Sequence, residues 1–218
     1  MPFITQGKTS LKYILIVVVL AVVVGGGILG WQYWLMPKGE IEMPEVKVPR
    51  EIMQINIYFH NQELQKEVCP EGICPEGLDD CTLVFPVRRT IPKTEAIEVI
   101  AAAAINELLK GPTEEEENQG FNSWIPDVDQ IARYSPQMWW DCEGEEFRFQ
   151  KGRVALLSLK IKNGTAYVDF SGEIHAYGGG SCYVGGIGSE IDNTLKQLPL
   201  VKEVVVSVDG ETECILQP

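Results

Sequence analysis

The hydropathy pattern of this 218-residue chain falls into two unlike parts. From Tyr13 to Met36 the sequence YILIVVVLAVVVGGGILGWQYWLM carries no charge and has no polar face. As a helix rising about 1.5 Å per residue it would extend about 36 Å, enough to cross a hydrocarbon layer of about 30 Å. Trp31, Tyr33 and Trp34 gather at its far end, where amphipathic rings favour the membrane boundary, and Pro37 ends the run. A cleaved leader has a shorter apolar core and a small-residue cleavage site, so residues 13–36 are expected to be an uncleaved membrane anchor. Gly26 and Gly30 have the GxxxG spacing of self-associating helices, which keeps a homo-oligomer open, although glycine is common in membrane helices anyway.

Past the anchor the pattern shortens. Residues 37–50 mix charges with Pro37, Pro44 and Pro49 and are expected to form an extended linker. From residue 51 the periods are those of a folded domain. IMQINIYFH (52–60) puts Met53, Ile55, Ile57 and Phe59 on one side of a strand. TLVFPVRRT (82–90) reads as a second strand, with Pro86 demanding an edge or bulge. Ile97, Ile100, Ala101, Ala104, Ile105 and Leu108 recur at three- and four-residue steps, predicting a helix over 94–110 with Thr94 as its cap. EEEEN (114–118) reads as a solvated loop. Two apolar runs flank Asn163-Gly164, predicting a hairpin over 153–171. A glycine-rich loop (177–188), a helix at 189–198 and a strand at 203–210 complete the series. The order predicts an α+β domain over 51–218: one small mixed sheet with two helices packed on one face.

Charge adds direction. Lys+Arg number 18 against 31 Asp+Glu, a net charge of −13, which excludes nucleic acid as a general partner. Lys8 and Lys12 precede the anchor and every acid follows it, so residues 1–12 are expected in the cytoplasm and the acidic domain outside. In that setting Cys69, Cys74, Cys81, Cys142, Cys182 and Cys214 suggest disulfides, at least one involving the 69–81 loop, and six cysteines leave 15 full pairings open. The C-x4-C-x6-C spacing in a chain with two histidines argues against zinc.

Candidate chemistry is sparse. Asp169, Ser171, Glu173 and His175 lie close in sequence, but on an extended strand alternate residues stand about 6–7 Å apart, too far for a triad. Asp169 and Ser171 are better read as strand-ending side chains that bond the backbone. Gly179, Gly180 and Ser181 before the second helix offer a place for an envelope ligand, without the signature of a nucleotide loop. Trp139 and Trp140 offer stacking surfaces, or cap the core under a long loop.

Six segments, INIYF (55–59), LVFPVRR (83–89), ELLKGP (107–112), GFNSWIP (120–126), KNGTAYVDFSGE (162–173) and NTLKQLPLVKEVVVSVDG (193–210), together resemble the GerMN domain of bacterial sporulation and spore-germination proteins. The resemblance implies an extracytoplasmic module, anchored by a lipid or a single helix, that serves ligand binding or assembly in the cell envelope. It brings no catalytic residues. The Cys-rich loop at 69–81 and about 25 extra residues between Pro126 and the hairpin depart from the family pattern. The expectation is a membrane-anchored envelope protein with no catalytic residue, metal or cofactor, whose partner is an envelope protein or cell-wall component. The competing expectation is a cell-wall hydrolase or its regulatory subunit, using Asp169, Glu173 or His175.

Overall fold

The structure is a computed structural model that describes residues 51–134, 139–140, 146–147, 149 and 152–216. The anchor at 13–36, the linker at 37–50 and Cys142 lie outside the described residues. Among the described residues no helix is long and apolar enough to cross a membrane.

Strand β1 (Ile52–Asn61) pairs antiparallel with β2 (Phe85–Pro92). Ile55, Ile57 and Phe59 are buried, as the alternation predicts, and Pro86 falls on the outer strand of the sheet. The 3-residue turn predicted to be loop-only continues instead from Asn61, whose Oδ1 accepts from the backbone N–H groups of Glu63 and Leu64 and so starts α1 (Gln62–Val68). Helix α2 (Ile97–Leu108) is shorter than expected. Ala96 occupies its cap position, while the Thr94 hydroxyl accepts from the Ala96 N–H in a turn outside the helix.

The acidic run is a helix rather than a loop. In α3 (Glu114–Asn118) Thr113 and Glu116 exchange side-chain and backbone bonds as a capping box, and the acids of the first turn face the positive end of the helix dipole. Short strand β3 (Phe121–Asn122), helix α4 (Val128–Tyr134) and the two-residue strands β4 (Trp139–Trp140) and β5 (Glu146–Phe147) follow. β6 (Leu156–Lys162) and β7 (Thr165–Phe170) form the predicted hairpin, with Asn163 and Gly164 both at positive φ. Helix α5 (Ser181–Lys196) then carries the chain to β8 (Glu203–Val208), which pairs parallel with β7.

One mixed sheet with both helices on one face was expected. There are instead two three-stranded sheets, β2-β1-β3 and β6-β7-β8, beside the small β4-β5 pair. Helix α2 packs on β1 and β6, α5 packs on β1 and β8, and the helices touch each other, so the pair bridges the sheets. The cause lies in the free edge of β1. Its outward N–H groups are taken by side chains of α5 rather than by another strand. Asn56 N donates to Gln197 Oε1 (3.0 Å) and Gln197 Nε2 returns a bond to Asn56 O (2.5 Å). Tyr58 N donates to Thr194 Oγ1 (3.2 Å) and His60 N to Glu190 Oε1 (3.4 Å). Residues 190, 194 and 197 share one helix face, and that face closes an edge that would otherwise recruit a strand.

Helix α5 also begins eight residues before the predicted position, at Ser181 rather than 189. The glycine-rich stretch is helical because neighbours fill the space its side chains vacate. A Cβ on Gly186 would lie within 2.6 Å of Trp124 Nε1, and one on Gly185 3.3 Å from the Thr82 methyl. Cys182 in the first turn is bonded to Cys81, and Ser189 Oγ donates to Thr82 O (2.5 Å).

Candidate functional site

A cleft of about 410 Å³ opens between two walls: residues 108–112 with Glu117, and residues 121–127. Leu108, Ile125 and Pro126 are buried at its base, with Phe121 half-buried beside them. Exposed Lys110, Glu117, Asn122 and Asp127 form the rim. Apolar lining with a few polar groups at the mouth is the usual form of a ligand pocket, and the volume falls within the customary range of about 300–1,000 Å³.

Each wall is held from beneath by a polar anchor. Arg89, on β2, makes a two-pronged contact with the Glu116 carboxylate, one prong being Nη2 to Oε2 at 2.6 Å. Arg89 Nη2 also donates to Gly111 O (3.2 Å), and its guanidinium lies 5.9 Å from the centre of the Phe59 ring. One cation thus ties the end of α2 to the start of α3. Burial alone would raise the Glu116 pKa, but the bonds from Arg89 and Thr113 and the Arg89 charge outweigh it, and the carboxyl sits below its ordinary value.

The second anchor is Glu190, fully buried on α5. Its Oε1 accepts from Trp124 N (2.9 Å) and, more weakly, from His60 N (3.4 Å), while Oε2 pairs with Ser123 Oγ (2.7 Å). Ser123 Oγ in turn accepts from Ile125 N (3.1 Å), so a single carboxyl organises residues 123–125. Burial pushes its pKa up to about 8, although Ser123 and the backbone N–H groups of Trp124, His60 and Ile125 pull the other way. Glu190 is therefore mostly neutral at pH 7. Trp124 stacks between His60 (centroids 5.0 Å) and Tyr183 (4.8 Å, edge-on), and its Nε1 has no hydrogen-bond partner. His60, held below its ordinary pKa by burial despite Leu83 O at 3.4 Å from Nδ1, is neutral as well. A third tie, Asn61 Nδ2 to Gln119 O (3.0 Å), fixes the turn between the walls, where Gly120 at φ +88° passes close to Asn61.

The residues singled out from the sequence lie elsewhere. Gly179 and Gly180 are exposed at positive φ with nothing near where a Cβ would stand, Gly180 caps α5, and Ser181 is its first residue. Trp139 and Trp140 form β4 against Phe147 and Glu146. Asp169 and Ser171 end their strand as expected. Asp169 Oδ1 accepts from Gly210 N (2.9 Å) and Ser207 Oγ (2.8 Å), and Ser171 Oγ accepts from Ala155 N (3.0 Å). Glu173 and His175 follow in a 3-10 turn, and burial lowers the His175 pKa, with the Asp209 charge opposing. Disulfides are present as expected: Cys69–Cys74 and Cys81–Cys182, with Cys214 also disulfide-bonded. The cleft was missed from sequence, although GFNSWIP and ELLKGP, two of the segments that carried the GerMN resemblance, supply most of its walls.

Residues 148–214 match the family model described as "Germane: Sporulation and spore germination", and the GerMN-like character read from the sequence is borne out over that stretch. No curated protein matches the chain. Among solved structures, the tandem GerMN domains of the sporulation protein GerM from Bacillus subtilis are similar at 22% identity and a TM-score of 0.46, over 80% of this chain. The chain spans 45% of the length of that structure. The first GerMN domain of the same protein is similar at 19% identity and a TM-score of 0.41, over 73% of this chain and 85% of that one. A putative lipoprotein from Clostridium perfringens is similar at 16% identity and a TM-score of 0.38, over 73% and 76%.

Proposed function

We propose that this chain is a single-pass protein of the bacterial cytoplasmic membrane whose exterior GerMN-like domain is a non-catalytic ligand-binding or assembly module, with the 108–127 cleft as its binding site. The observation that carries the reading is the cleft itself, an apolar floor between two walls each held by a dedicated polar anchor. A rigid, pre-shaped recess loses little ordering entropy when a partner enters. Asp169 and Ser171, which a hydrolase would recruit, are occupied by strand-ending bonds. Disulfides fit an oxidising compartment, and the uncharged run at 13–36 supplies the anchor.

The reading is tested by complementing a deletion strain with the full chain carrying His175→Ala, with protein level followed by blot. A binding module retains function. Loss of a general base costs a factor of about 10² to 10⁴, so a stable but inactive His175→Ala protein would overturn the non-catalytic assignment. Protease added to intact spheroplasts should digest the 37–218 part, and protection would reverse the orientation.

A further inference from the structure

We propose that the occupant of the cleft is an extended peptide segment presenting a bulky apolar side chain next to lysine or arginine. This rests on the binding-site reading above and adds the chemistry of the ligand. The base of the cleft, Leu108, Ile125 and Pro126, offers no polar side chain, so what enters it must be apolar. The mouth is negative for three separate reasons. Glu117 and Asp127 line it and are exposed. Helix α2 ends there, at Leu108, and directs its carbonyl pole toward the opening. The one basic side chain of the lining, Lys110, is already engaged by Glu107 one turn back. Arg89, the other cation nearby, is spent on Glu116 and Gly111 and faces away from the mouth into the wall.

A basic residue beside an apolar one would find its ammonium or guanidinium over Glu117 or Asp127 while the apolar group covers Phe121 and Ile125. An acidic segment would meet repulsion at the same place. Exposed ion pairs contribute about 0.2–1 kcal/mol each, so the rim sets preference among apolar segments while the floor supplies most of the affinity.

The test uses the full-length protein in nanodiscs of zwitterionic lipid, so that basic probes do not adsorb to the bilayer. Three labelled tetrapeptides, acetylated and amidated, are titrated by fluorescence anisotropy: Lys-Leu-Phe-Lys, Glu-Leu-Phe-Glu and Lys-Ser-Ser-Lys. The first should bind at least about fivefold more tightly than either other, and the advantage over the acidic peptide should shrink with added salt. Glu117→Lys together with Asp127→Lys, both at exposed positions, should invert the preference between the first two peptides while leaving the unfolding transition in place. Equal binding of the acidic peptide would overturn the charge assignment and leave the cleft reading standing. Equal binding of Lys-Ser-Ser-Lys would overturn the apolar assignment. Binding of Lys-Leu-Phe-Lys that survives the double reversal unchanged would place the peptide elsewhere and overturn the proposal. If no peptide binds, the ligand class is wrong, and the cleft itself is then judged by the crosslinking experiment that closes the Discussion.

Discussion

Replacing Glu190 by glutamine should make the domain more stable as pH rises, although Glu190 makes three side-chain bonds. The carboxyl titrates near 4.5 when the chain is unfolded and at about 8 when folded. A group whose folded pKa is raised contributes most below its unfolded value, and that contribution is lost as pH climbs through the folded one. At 1.36 kcal/mol per pKa unit, the folded state loses about 3 kcal/mol between pH 5 and pH 8 through this one residue. Glutamine keeps the shape, still accepts from Trp124 N and His60 N, and can donate to Ser123 Oγ as the protonated acid does. It has no proton to lose. Its second N–H lacks a partner, at a cost of about 1–3 kcal/mol, but that cost does not vary with pH. The quantity to measure is therefore the difference in unfolding free energy between Glu190→Gln and the parent at pH 8, less the same difference at pH 5. Urea unfolding of the full chain in detergent, followed by tryptophan fluorescence, reads it, since Trp124 lies against the site. The account expects about 3 kcal/mol in favour of glutamine. Curves for the two proteins that stay parallel within about 1 kcal/mol would show that Glu190 is ionised in the fold, and the reasoning would fail.

Other outcomes follow from the same contacts. Gly186→Ala would drive a methyl group into the Trp124 indole, so it should cost about 1–3 kcal/mol and lower the melting temperature by several degrees in a thermal scan. Arg89→Met removes the clamp on Glu116 and Gly111 and should destabilise by about 2–3 kcal/mol in urea. Because the Glu116 pKa is depressed in the fold, the parent should lose the contribution of that pair as pH falls below about 4.5, and the Arg89→Met protein should lack that acid-side decline. Changing Cys81 and Cys182 together to serine opens a link across 101 residues, for which chain entropy sets an upper value of about 5 kcal/mol; a loss below about 1 kcal/mol would mean that α5 needs no covalent tether.

The elements that were legible in the sequence are those whose signal is local. The alternation in β1, the stripe on α2 and the Asn163-Gly164 turn each depend on residues a few positions apart, and all three form. What was illegible depends on distant partners. Glycines 185, 186 and 188 lower helix propensity, yet the helix runs through them because Trp124, about 60 residues away, occupies the space beside Gly186. Glu116 looked like one of four solvated acids until Arg89 selected it. Glu190, Thr194 and Gln197 looked like the polar side of a surface helix, although their spacing matches alternate residues of a strand edge, and that match is why one expected sheet became two. Trp139, Trp140 and the glycines before α5 drew attention as residue types, whereas the cleft is built from plain ones, leucine, proline, phenylalanine and asparagine, brought together by Arg89, Asn61 and Glu190.

The most direct test of the binding role places a photoreactive phenylalanine analogue at Asn122 on the cleft rim and, separately, at Tyr167 on the outer face of β7, in the full chain expressed at native level in intact cells. Both positions are exposed, so neither substitution should disturb the core. The account predicts a discrete crosslinked adduct from position 122 that disappears when Glu117 and Asp127 are both changed to lysine, and none of that size from position 167. No adduct from 122, or the same adduct from both positions, would contradict the assignment of the cleft as the site where this domain meets its partner.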